Sequence, residues 1–205
     1  MEEAEVGEYE SGNERIDLLE EAYRQEGLDH KAKVLIFNRF KETLSSDYFG
    51  RYLKYCNETE TETANLQALD LAKQAPRLIV AVKFLMDLSE WELVDSLFIA
   101  RANEIDGGDY HEYRKISKIL AKSGFVLSAV LLRREILEDI LGAARSRAYK
   151  YAASDLKLCN EFAEQVKDWQ QFETQAQFLS RIKTEHGKKK SFWGQASAYA
   201  GVQYF

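Results

Sequence analysis

Two stretches of the chain carry residues whose types and spacing could bind a charged ligand. The first is LLRREILEDILGAARSRAYKYAASDL, residues 131–156, which holds Arg133, Arg134, Arg145, Arg147 and Lys150. Arg145 and Arg147 flank a helix start, so on an inter-helix turn their guanidinium groups could fork onto a phosphate or carboxylate. The second is TEHGKKKSFWGQ, residues 184–195, in which His186, Lys188, Lys189 and Lys190 run into Phe192 and Trp193. Lysines on phosphates with Trp193 stacked on a base would make a nucleic-acid hook. A plainer reading accounts for both stretches. Arg134 and Glu138 stand at i,i+4 and suit a surface ion pair. Lys183 and His186 lie in the last turn of a helix that Gly187 stops, where positive charge offsets the carbonyl ends. Phe192 and Trp193 then fold back as a structural cap over the final apolar face. We expect the cap.

Other chemistry is sparse. His30, His111 and His186 stand apart from each other and from cysteine, and H-E-x-x-H is absent. Cys56 and Cys159 are far apart and form no C-x-x-C, which suits two free thiols in a reducing compartment. Gly107-Gly108 lacks the Lys-Ser/Thr ending of a phosphate loop. Adjacent carboxylates such as Glu20-Glu21 and Glu138-Asp139 point to different sides of a helix and make poor acid/base couples. The expectation is no catalytic residue, no metal and no cofactor.

Charge and hydropathy narrow the classes further. The net charge is −6. Residues 1–63 hold 16 acidic and 8 basic side chains, a net −8, and the rest hold 18 acidic and 20 basic, a net +2. An acidic front does not coat DNA through overall charge. The opening MEEAEVGEYESG has no apolar stretch to serve as a signal peptide, and the longest apolar run, FVLSAVLL at 125–132, is too short to span a bilayer. A cytoplasmic protein without a membrane partner is expected.

The elements that must position these residues read as helices. Capping boxes are expected at Ser11–Glu14, Ser89–Glu92, Asp109–Glu112 and Asp168–Gln171. Gly27, Ser123-Gly124, Gly142 and Gly187 read as stops. Asp29 caps a helix whose apolar face is Val34, Phe37, Phe40 and Leu44. Ser45-Ser46-Asp47 starts another, faced by Phe49, Tyr52, Leu53 and Cys56. Pro76 suits the first turn of a helix. Ser146 caps a helix bearing Tyr151, Ala152, Leu156 and Cys159.

This pattern predicts an all-α chain: an N-terminal helical section over 1–57, an acidic linker over 58–63, a helical-repeat section over 64–187, and a basic, aromatic cap and tail over 188–205. From Ala64 to Gly187 the helices pair at about 35–40 residues per pair, the logic of an α-α superhelix of tetratricopeptide or HEAT type with irregular repeats. An irregular helical bundle is the alternative.

Leu131-Leu132-Arg133, Arg145-Ser146-Arg147-Ala148-Tyr149, Ala152-Ala153, Leu156 and Gly187-Lys188-Lys189-Lys190-Ser191-Phe192-Trp193 together resemble an uncharacterised bacterial family of helical proteins. Related segments occur at the C-terminus of SWIM-type zinc-finger proteins, whose cysteine and histidine ligands are absent here. The resemblance implies tetratricopeptide-like repeats and carries over no catalytic residue. The function expected is a non-catalytic scaffold that binds a protein or peptide partner, in an exposed groove of aromatic and arginine residues between Ala64 and Lys183. The alternative is a nucleic-acid-binding accessory module using Arg133, Arg145, Arg147, Lys188, Lys189 and Lys190.

Overall fold

A computed structural model describes the backbone of residues 2–200 and the side chains of residues 13–199. The described residues are all-α, with no strand. The chain forms two compact units, Met1–Glu90 and Trp91–Phe205.

The first unit holds α1 (Glu2–Gln25), α2 (Asp29–Thr43), α3 (Ser46–Leu53), α4 (Glu58–Gln74) and α5 (Leu78–Asp87). Helix α1 runs through Ser11, so Ser11–Glu14 does not open it; the Ser11 side chain lies outside the described residues. Gly27 does stop it, at φ +70, with the Leu28 amide donating to the Tyr23 carbonyl at 2.8 Å. Leu28, not Asp29, takes the N-cap of α2. The inner stripe of α2 is Ala32, Ile36 and Phe40, continued by Leu44, while Val34 is exposed and Phe37 half-buried against Tyr52. Strict i+4 spacing explains the rotation from the expected face, because the small Ala32 lets a neighbouring helix approach. Phe40, Phe49 and Phe84 form the aromatic centre of this unit, with ring centroids 4.9 to 5.6 Å apart.

Residues 58–63 are not a linker. Asn57 accepts from the Glu60 amide at 2.9 Å and Glu60 accepts from the Asn57 amide at 2.9 Å, so a reciprocal box opens α4 there. Lys33 then pairs with Glu60 at 2.7 Å. The buried stripe Ala64, Ala68 and Ala72 completes the helix. Pro76 lies two residues before Leu78, outside α5 rather than in its first turn. Ser89 caps no helix; it adopts φ +61 just past α5, the left-handed conformation that closes a helix.

The second unit holds α6 (Trp91–Ala100), α7 (Tyr110–Lys122), α8 (Val126–Gly142), α9 (Tyr149–Ala163), α10 (Gln175–His186) and α11 (Lys190–Ala200), with 3-10 turns at Ala102–Glu104, Gly107–Asp109 and Ser146–Ala148. Helix α8 packs against both α7 and α9, and α9 also packs against α11. Its two-sided burial reaches Ala129, Leu132, Ile136 and Ile140, as the periodicity predicts, and also Arg133 and Arg134. Tyr113, Ile116 and Leu120 form the inner face of α7 as expected. The turn before α7 approaches α8 closely: a Cβ on Gly107 would stand 2.5 Å from the Glu135 carbonyl oxygen and from the Asp139 Cβ, so glycine is required. Asp109 makes no capping hydrogen bond; Asp106 instead accepts from the Gly108 amide at 2.8 Å.

Asp168–Gln171 matches the box pattern but opens no helix. The box that opens α10 is Thr174–Gln177. Trp169 and Phe172 therefore lie in the preceding loop. Helix α10 does end at Gly187, although φ there is −57, so close approach to the Lys183 carbonyl rather than a left-handed turn suits glycine. The segment after it is helical over Lys190–Ala200, with Phe192, Trp193 and Ala196 buried. Residues 201–205 lie outside the described residues.

Candidate functional site

The first turn of α7, the turn at 146–148 and the first turn of α9 converge on one cleft of about 390 Å³. Tyr110, His111 and Arg114 line it from α7, Ile140 from α8, and Arg145, Ala148 and Tyr151 from the other side. Tyr110 and Arg114 stand at i,i+4, which places them on one helix face. The Arg114 guanidinium lies 5.3 Å from the Tyr110 ring centroid and 5.6 Å from that of Tyr151. Tyr151 is an exposed large aromatic.

What fixes Arg114 is a buried carboxylate. Asp155, on α9, is 1% exposed. Arg114 Nε donates to it at 3.1 Å and Nη2 at 2.6 Å. Arg133 approaches the same carboxylate through Nη1, and its Nε donates to Ser117 Oγ at 2.6 Å and its Nη2 to the Arg114 carbonyl at 2.9 Å. All three nitrogens of Arg133 are thus engaged, whereas Arg114 Nη1 has no hydrogen-bond partner among the described residues. Two guanidinium groups thus share one carboxylate. Arg145 is balanced by Asp139, at 2.7 and 3.1 Å. Arg147 is exposed, and the Lys150 ammonium lies 4.8 Å from the Tyr151 centroid.

Of the sequence candidates, this geometry brings Arg145 to the cleft. It removes Arg133 from any surface role, because that side chain is buried and spent on Asp155, Ser117 and Arg114. Lys188 and Lys190 are exposed and Lys189 is half-buried, between α10 and α11, and none of the three lines the cleft. Arg134 is no partner of Glu138. It is buried between the rings of Trp169 and Phe178, at 4.7 and 4.6 Å, and donates to the Glu173 carbonyl and Gln175. Burial lowers its pKa. Glu138 pairs instead with Arg181 at 2.8 Å. The sequence reading missed Tyr110, Arg114 and Asp155. The available signal was the i,i+4 pair Tyr110/Arg114; its approach to Tyr151 is a tertiary contact that no local pattern shows.

Both cysteines are free thiols, and burial pushes the Cys159 thiol up to about 12. Among the described residues, no group of three or more His, Cys, Asp or Glu side chains is placed to hold a metal ion. None of their helices is long and apolar enough to cross a membrane.

One further ionisable group is out of balance. Glu135, on α8, makes no side-chain hydrogen bond among the described residues, and burial pushes its pKa up to about 7, with Glu138 adding to the shift and Arg181 opposing it. A carboxyl whose folded value is raised destabilises the fold above that value and ceases to do so once protonated in both states. Glu135→Gln is therefore expected to raise stability at pH 8 by about 1 kcal/mol, after discount for its partial exposure, and to change nothing near pH 4. Urea midpoints at the two pH values check this.

The fold and cleft define an all-α protein with a concave, arginine- and tyrosine-lined surface. The chain belongs to the family of unknown function DUF6880, whose model matches residues 2–195. No curated protein and no solved structure gives a significant match.

Proposed function

We propose that the chain is a non-catalytic helical module that binds a peptide segment of a partner protein, and that the Tyr110–Arg114–Tyr151 cleft is where the peptide lies. The observation that supports this reading is an arginine held between two tyrosine rings, with a donor left over, in a concave site. Tyrosine and arginine in desolvated pockets carry much of the binding energy at protein interfaces. The reading extends to an architecture of stacked hairpins in the tetratricopeptide manner, in which α7, α8 and α9 supply the groove, and to a bacterial cytoplasmic setting.

Selection from a displayed peptide library on the full chain tests it. Enriched peptides are expected to bind Tyr151→Ala about tenfold more weakly, since an exposed aromatic at an interface centre contributes about 1–2 kcal/mol. Because Tyr151 is exposed, the variant should keep its helical circular-dichroism spectrum. Enriched peptides that bind Tyr151→Ala and Tyr110→Ala as tightly as the parent, or no enrichment at all, would refute the reading.

A further inference from the structure

We infer that the occupant of this cleft is an acidic peptide, one that presents an aspartate or glutamate carboxylate to Arg114 with an apolar or aromatic residue beside it. The inference rests on the peptide-binding reading above and adds the chemistry of the partner.

Three features carry it. The first is the donor. Arg114 is fixed on three sides, by Tyr110, by Tyr151 and by Asp155, and its Nη1 remains unpartnered among the described residues. A guanidinium held in place before binding loses little freedom on meeting a carboxylate. The second is the charge. Arg114 and Arg133 share Asp155, and Asp139 is taken by Arg145, so the ion pairs at the cleft join three guanidinium groups to two carboxylates. Arg147 and Lys150 have no ion-pair partner among the described residues and add to the same sign. The third is the wall. The Tyr110 and Tyr151 hydroxyls make no hydrogen bond among the described residues, while their rings offer apolar surface. A carboxylate flanked by an apolar side chain matches both.

A side-chain carboxylate needs one or two donors, which the open Nη1 of Arg114 supplies, while Arg145, the other guanidinium of the lining, is engaged with Asp139 through both terminal nitrogens. A volume of about 390 Å³ is at the small end for binding sites and suits one or two side chains rather than a nucleotide.

The test uses pools of N-acetylated, C-amidated hexapeptides with a fixed central residue and mixed apolar and aromatic neighbours. The fixed residue is Glu, Gln, Lys or phosphoserine, and binding to the full chain is read by fluorescence anisotropy. The Glu pool is expected to bind about tenfold more tightly than the Gln pool, the size of a charge-assisted hydrogen bond. That advantage should disappear in Arg114→Gln and persist in part in Arg114→Lys. Because Arg114 also braces Asp155, salt provides a check without mutation: the Glu pool should weaken between ~50 and ~500 mM salt, over which charge attraction is screened, while the Gln pool should not. Equal binding of the Glu and Gln pools would overturn the acidic partner while leaving the peptide-binding reading standing. A phosphoserine pool that binds tighter than the Glu pool would overturn the choice of a carboxylate. No binding by any pool would sink both.

Discussion

Replacing Asp155 by alanine is expected to lower the stability of the Trp91–Phe205 unit by about 3–5 kcal/mol, the cost of leaving a buried partner charge unpaired. The reason lies with Arg133 more than with Arg114. Arg133 is buried, with Asp155 as its one charged partner among the described residues, so removing the carboxylate strands a full positive charge away from water. Arg114 is less enclosed and can turn outward. In thermal unfolding the loss corresponds to a fall in Tm of roughly 12–20 °C for a unit of this size. Arg133→Met alone removes the costly cation but leaves Arg114 to satisfy Asp155. It is expected to cost less than Asp155→Ala, and Arg133→Met with Asp155→Leu should recover at least half of the single-variant loss, because two apolar side chains need no compensation. An Asp155→Ala Tm within a few degrees of the parent would show that Arg133 reaches water, and the account of a pinned Arg114 would fall with it.

The same residues show where sequence reading succeeds and where it stops. Periodicity predicts an all-α chain because Tyr113, Ile116 and Leu120, or Ala129, Leu132, Ile136 and Ile140, recur at the helical interval on one face. Gly27, Gly124 and Gly187 mark ends because glycine fits where the backbone turns left-handed or where it closes on a carbonyl. Capping patterns fare worse. Ser89, Asp109 and Asp168 each match a box and none supplies one, and the helix runs on through Ser11, whereas Asn57 and Thr174 do open helices with a box. A box needs an extended residue followed by free amides, and four letters do not fix that dihedral. The acidic run 58–63 reads as a linker because it has no apolar residue until Ala64. It is helical because Asn57 and Glu60 satisfy its first amides and the Ala64, Ala68 and Ala72 stripe packs behind them. The cleft is harder still. Arg133 and Arg134 look like surface cations by type, and only the position of Asp155 one helix away decides that Arg133 faces inward. That is a pairing between α8 and α9, residues 22 apart, and no local pattern encodes it.

Trp193→Ala is expected to cost about 3–5 kcal/mol, the range for deleting a large aromatic from a packed core. The ring is fully buried, meets Phe192 edge-on at 4.9 Å, and belongs to a helix that packs on α9. Its indole nitrogen donates to the His186 carbonyl at 3.0 Å. That carbonyl, in the last turn of α10, also accepts from the Lys189 amide at 3.0 Å, so the indole both fills volume and adds a second donor at the helix end. The two contributions separate experimentally. Trp193→Phe keeps most of the apolar surface and gives up the hydrogen bond, and is expected to cost about 1–2 kcal/mol. Lys188→Ala, Lys189→Ala and Lys190→Ala together should cost under about 1 kcal/mol, since exposed cations add little to stability. If the triple lysine variant unfolds as readily as Trp193→Ala, the basic run rather than the aromatic pair holds this end of the unit. The aromatic pair is the stronger candidate on physical grounds, because what Phe192 and Trp193 remove from water is large apolar area, and Lys188 and Lys190 remove almost none.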